Sequence, residues 1–225
     1  MKLLLFIFLI ISSGCLLTAQ EMKEPETAQS FAKFTELLPF IPPLFFLAEI
    51  ELKDYVRSDV FTCIKVRYGD IASVDSIFSN AQMLMNGNTS LALLVSILAT
   101  NEHKNLTFKI PYIKLLIPLP LTLETKEEFQ ERLANLPKHF SAHPADTVHD
   151  NRDKLQHFFA SAFLAYTFES YTVVDRFGLF VEEGERAFIA GGTYDDEDMQ
   201  MNNIGSAFGL TLHNNRSALP SSMIK

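Results

Sequence analysis

The sequence predicts an α+β protein in which an N-terminal antiparallel β-meander precedes a C-terminal bundle of about three helices. Three observations lead there. Between about 48 and 121, apolar and polar residues alternate and turn residues punctuate them, as in half-buried strands. From Asp153 onward the spacing becomes that of helices, with like residues three and four apart. Between the two, residues 137 to 152 include Pro137 and Pro144 and read as a linker.

The chain opens with Met1-Lys2 and an apolar run from Leu3 to Ile11, the charged start and short apolar core of a secretory leader, so residues 1–19 are set apart from the fold. Two cleavage sites stay open. Ser12-Ser13-Gly14-Cys15 resembles a bacterial lipobox with Ser at its first position, while Leu16-Leu17-Thr18-Ala19-Gln20 suits ordinary cleavage after Ala19, which is slightly favoured. An uncleaved anchor is the weaker reading, because about 15 apolar residues fall short of the roughly 20 that a spanning helix needs. The expected location is the periplasm or outer envelope, with membrane association only if Cys15 carries lipid. Either cleavage leaves Cys63 without an intramolecular partner, and its apolar neighbours Val60, Phe61 and Ile64 predict a buried thiol.

Residues 20–47 follow as an extended Pro-rich segment. Pro39, Pro42 and Pro43 interrupt Leu37 to Leu47 and oppose a regular interior helix or strand. That segment covers a core or, as the less favoured alternative, touches a membrane or partner. The β-rich module is placed at 48–136. Ala81, Met83 and Met85 alternate with their neighbours, Asn86-Gly87-Asn88 tolerates positive φ, and Leu91 to Leu98 runs apolar, which together predict a hairpin. The run from Leu91 to Leu98 is ambiguous by periodicity and is read as strand from its turn-bounded neighbours. Leu106-Thr107-Phe108-Lys109-Ile110 again has period two, and Pro111, Pro118 and Pro120 put the next segment at an edge or outside the sheet. Thr125 and Glu128 then form the capping-box pattern of a helix running to about Asn135.

The helical module spans 153–215. Asp153, His157, Ser161 and Ala165 share one face of its first helix. A second helix over about 172 to 190 carries Glu182, Glu183 and Glu185 and ends at Gly191-Gly192. A third starts in the acids at 195–198 and aligns Asp198, Asn202, Gly205 and Gly209 on one face; two interior glycines predict close packing against a neighbour.

The Asp153-Lys154-x-x-His157-Phe158 opening, the Gly178-x-x-x-Glu182 helix and the Asp198-x-x-x-Asn202-x-x-Gly205-x-x-x-Gly209 ending resemble, in order and spacing, the VanZ-like and YfiM-type putative lipoprotein families. The resemblance covers about residues 153 to 212. It departs where Glu185 stands in place of the usual Gln, and no apolar segment here reaches spanning length, which favours the soluble or lipid-anchored branch.

At pH 7 the formal charge is −8 and no run of clustered Lys and Arg occurs, which opposes a general nucleic-acid or anionic-lipid surface. The remaining expectations concern the polar helix faces. In the first, Asp153, His157, Glu182, Asp198 and Asn202 form a buried network in an exported cell-envelope protein of binding or scaffolding type, with an envelope protein or lipid as partner. In the alternative, His157 is a general base and Glu182 or Asp198 its carboxylate in a hydrolase-like enzyme using acid/base or metal chemistry. Asp153, Asn202 and Glu185 are the accompanying binding residues. His139, His143, His149 and His157 with Asp146, Asp150 and Asp153 supply metal-donor types without an established zinc spacing, so no metal or other cofactor is expected.

Overall fold

The computed structural model describes residues 43–110, 115–139, 152–169 and 196–224. These residues form a helical bundle, which overturns the α+β expectation. The helices are α1 (Pro43–Arg57), α2 (Asp59–Leu84), α3 (Thr89–Ala99), α4 (Lys126–Asn135), α5 (Arg152–Phe168) and α6 (Asp196–Asn214), followed by a 3-10 turn at Pro220–Ser222. A lone antiparallel hairpin, β1 (Asn105–Ile110) with β2 (Leu115–Pro120), separates α3 from α4. Among the described residues these are the only two strands, so the β-rich module over 48–136 is corrected to four helices and one hairpin.

Pro43 explains the first correction. It is the first residue of α1, where a missing N–H removes no helical hydrogen bond and the fixed φ is already helical. The Pro-rich segment therefore passes into a helix instead of staying extended to residue 47. Phe45, Ala48, Leu52 and Val56 form its buried face, while Phe46, Leu47 and Ile50 are exposed. Residues 20–42 lie outside the described residues, as does the leader.

Ser58 alone joins α1 to α2. Its hydroxyl accepts from the Phe61 N–H at 3.2 Å and donates to the Tyr55 carbonyl at 2.7 Å, capping one helix while closing the other. Within α2, Gly69 takes φ 86° and splits the helix into two segments. In the second segment Val74, Ile77, Phe78 and Ala81 are buried at helical spacing. Ala81 and Met85 point inward one turn apart and Met83 is 67 % exposed, so the period-two reading at 81–85 was a helix face seen through too short a window.

Asn86-Gly87-Asn88 does reverse the chain, but between helices. Gly87 N donates to the Gln82 carbonyl at 2.8 Å and Asn86 N to the Met83 carbonyl at 3.1 Å, the paired bonds of a Schellman ending with Asn86 at φ 51°. Asn88 then caps α3 by accepting from Leu91 N at 3.1 Å. The run from Leu91 to Leu98 is helical, and from Ala92 on it is buried on every side, which is why it shows no amphipathic period.

α3 is the axis of the bundle and packs against α1, α2 and α5, while α6 lies along α5 in the most extensive helix pair. Phe158 stacks on Phe208 at 5.4 Å, and Phe78 meets Phe208 edge-on at 5.2 Å, so ring contacts join α2, α5 and α6. At α4 the capping box closes in both directions: Glu128 N donates to the Thr125 hydroxyl at 3.2 Å, and Thr125 N to the Glu128 carboxylate at 2.8 Å. Cys63 is exposed, correcting the buried thiol, because a helix turns it away from Phe61. The helix expected at about 172–190 lies outside the described residues.

Candidate functional site

The helices α5 and α6 meet through glycine. A Cβ placed on Gly205 would collide with the backbone carbonyl of Phe158, and one on Gly209 with that of Ala162. The central stripe of α5 is therefore Lys154, Phe158 and Ala162, with His157, Ser161 and Ala165 flanking it. Such an approach leaves no room for long polar side chains at the crossing, so they gather at its end, where Asp198 begins the facing stripe of α6.

Lys154 occupies that end. Its ammonium lies 2.6 Å from Asp198 Oδ1 and 3.0 Å from Asp153 Oδ2, and its side chain is nearly sealed from solvent. His157 Nε2 lies 3.4 Å from the same Asp198 oxygen and its side chain is 21 % exposed. One turn further, the Ser161 hydroxyl donates to Asn202 Oδ1 at 2.8 Å, and the Ser206 hydroxyl donates to the Asn202 carbonyl at 2.7 Å. Among the described residues, the buried Asp153 Oδ1 has no hydrogen-bond partner.

The structure thus brings Asp153, His157 and Asp198 together around Lys154, which sequence reasoning quoted in a motif but gave no role, and sets Asn202 one turn further on against Ser161. Its signal was available: Lys154 falls three and four residues before His157 and Phe158, on the face opposite Asp198. Glu182 and Glu185 lie outside the described residues. So do His143, His149, Asp146 and Asp150. His139 is exposed, and its backbone N–H donates to Asp70 Oδ2 at 2.7 Å. Among the described residues no group of three His, Cys, Asp or Glu side chains is placed to hold a metal ion.

No family model matches this chain. No curated protein and no solved structure matches it either.

A second ionic cluster went unread. Arg132 on α4 is fully buried and grips Glu124 with two parallel bonds, Nε to Oε1 at 2.8 Å and Nη2 to Oε2 at 2.8 Å. Its Nη1 donates to the carbonyls of Ala99 at 2.9 Å and Asn101 at 2.8 Å, satisfying the end of α3. Arg57 donates to Glu124 Oε1 at 2.6 Å, and Lys53 donates to Glu49 at 2.6 Å and to the Thr122 hydroxyl at 3.0 Å. Burial holds the Lys53 ammonium below its ordinary value, against the raising pull of Glu49 and Glu124. The only sequence sign was Arg132 three residues after Phe129, on the apolar side of α4.

The chemistry open to the first cluster follows from its distances. A catalytic His–Asp pair needs the carboxylate free to support positive charge on the imidazole. Here the Lys154 ammonium lies closer to Asp198 than His157 does, 2.6 Å against 3.4 Å, and shares that carboxylate oxygen with it.

Proposed function

We propose that this is an exported cell-envelope protein of binding or scaffolding type, in which Asp153, Lys154, His157, Asp198, Asn202 and Ser161 fix the register of two helices packed through glycine. The observation behind this reading is the buried 2.6 Å Lys154–Asp198 pair at the end of the Gly205/Gly209 contact. Export is inferred from the Lys2 and Leu3–Ile11 leader pattern. The likeness of the three motifs to VanZ-like and YfiM-type proteins belongs to the same proposal. Among the described residues no helix is long and apolar enough to cross a membrane.

Two measurements test it. Mass spectrometry of the chain recovered from a producing cell's envelope is expected to show loss of residues 1–19, or 1–14 with lipid on Cys15. Full-length chain retained inside the cell would contradict export. Thermal melts of Lys154→Met and His157→Ala test the network: both are expected to melt lower, Lys154→Met by more. Active-site groups are instead held at a cost to stability, so a His157→Ala chain that melts higher than the parent would overturn the network in favour of catalysis.

A further inference from the structure

In the segment of α2 that precedes the Gly69 break, residues 59–68, Phe61 alone is buried. Lys65 holds the same side of the segment against α4, its ammonium donating to the carbonyls of Asn135 at 3.0 Å and Leu136 at 2.8 Å. The opposite side is Asp59, Val60, Cys63, Val66 and Arg67. All five are exposed, Val60 to 62 % and Val66 to 83 %. At about 100° per residue they fall within about 60° of Cys63, with Phe61 and Lys65 about 160° away. The exposed face of a helix is ordinarily polar, and this one is apolar along its middle.

The stripe is symmetric about Cys63. Val60 and Val66 each stand three residues from it, and Asp59 and Arg67 each stand four. Reversing the helix therefore lays valine on valine and acid on base. Within one helix Asp59 and Arg67 are eight residues apart, about 12 Å along the axis, too far to pair with each other. The Arg67 guanidinium stands over the Tyr68 ring at 5.3 Å, a contact that holds it at this surface.

We propose that this stripe is covered by a second copy of the same chain, the two α2 segments packing antiparallel about a two-fold axis that passes at Cys63. Val60 of each copy meets Val66 of the other, and Asp59 of each copy pairs with Arg67 of the other. A two-fold contact requires this self-complementarity, and an unrelated partner would not require the acid and the base to stand equally far from the centre. Five side chains cover less than the roughly 800 Å² per partner of a stable interface, so the dimer is weak and reversible. The proposal is independent of export and of the Lys154–Asp198 network, and each can fail alone.

The test uses the full-length chain with Cys15→Ser, which leaves Cys63 as its only thiol. Sedimentation velocity at low salt is expected to show a reversible dimer, and a short bismaleimide to link that dimer through Cys63. Asp59→Arg and Arg67→Asp each set like charges together at both ends of the contact, and each is expected to weaken the dimer about tenfold. An equimolar mixture of the two variants is expected to restore it, because both pairs are opposite in the mixed dimer. The leader is common to every chain, so association through it would not follow the reversals, and a misfolded variant would not be rescued by mixing. A chain that stays monomeric with Cys63 unlinked would overturn the proposal and leave the face to a different partner. So would a dimer that ignores both reversals, or a mixture no stronger than its components.

Discussion

Arg132 and Lys154 are both buried cations held by a carboxylate from another part of the chain, yet their surroundings differ. Arg132 places four of its five N–H donors on fixed acceptors: both oxygens of Glu124 and the carbonyls of Ala99 and Asn101. Its planar fork suits that geometry and lets one side chain join α4, the 121–125 segment and the end of α3. Lys154 is a point charge between two aspartates, beside a partly exposed His157 and the unpartnered Asp153 Oδ1. The first cluster is closed and the second has an open edge. The difference lies in the cation's geometry: a planar fork joins three segments of chain, whereas a point charge joins two helices.

Arg132→Met breaks the closed cluster and leaves Glu124 buried without its main partner, so a loss of about 4 kcal/mol is expected in urea unfolding. A loss below about 1 kcal/mol would mean that Arg57 and Lys53 suffice to hold Glu124. Lys154→Met is expected to cost about 3 kcal/mol, less because the open edge admits water to Asp198. If it costs more than Arg132→Met, the ranking of the two clusters is wrong. Gly205→Ala gains about 1 kcal/mol of helix propensity and forces the Phe158 backbone away, for a net loss of about 2 kcal/mol by thermal unfolding. An unchanged melting temperature would show that α5 and α6 are further apart than the Gly205 contact requires.

Acid probes the Arg132 cluster by a smaller effect. Burial alone would raise the Glu124 carboxyl, but the hydrogen bonds and charge of Arg132, then the charge of Lys53 and the Thr122 hydroxyl, outweigh it and hold the group below its ordinary 4.5. Such a carboxylate contributes stability that is complete above 4.5 and is lost as pH falls through the lower folded value. Urea midpoints are therefore expected to be level from neutrality to about pH 5 and to decline below it, with a shallower decline in Glu124→Gln. An identical decline in that variant would place the acid sensitivity elsewhere.

The sequence made the polar face of α6 and the capping box of α4 readable because each is a local pattern of three or more residues. It misread α2 and α3 for opposite reasons. In α2 a five-residue window around Met83 alternates by coincidence, and only the burial of Ala81 and Met85 exposes the helical period. In α3 the apolar run has no polar face to give a period, since the helix is enclosed by α1, α2 and α5. Pro43 misled because proline breaks a helix interior but begins one well, and position within the element is not visible in composition. Among the site residues, Asp153, His157, Asp198 and Asn202 were found from spacing. Lys154 was quoted in a motif without a role, and Arg132 with Glu124 depends on contacts between segments that no local pattern records.

The central claim is that the Lys154–Asp198 pair holds two helices in register. It is tested most directly by a double-mutant cycle in urea with Lys154→Met, Asp198→Leu and the two combined. Each single change is expected to lose about 3 kcal/mol by stranding a buried charge, and the double to recover most of that loss. Single losses that add in the double, with no recovery, would show that the pair does not act as a unit and would contradict the account.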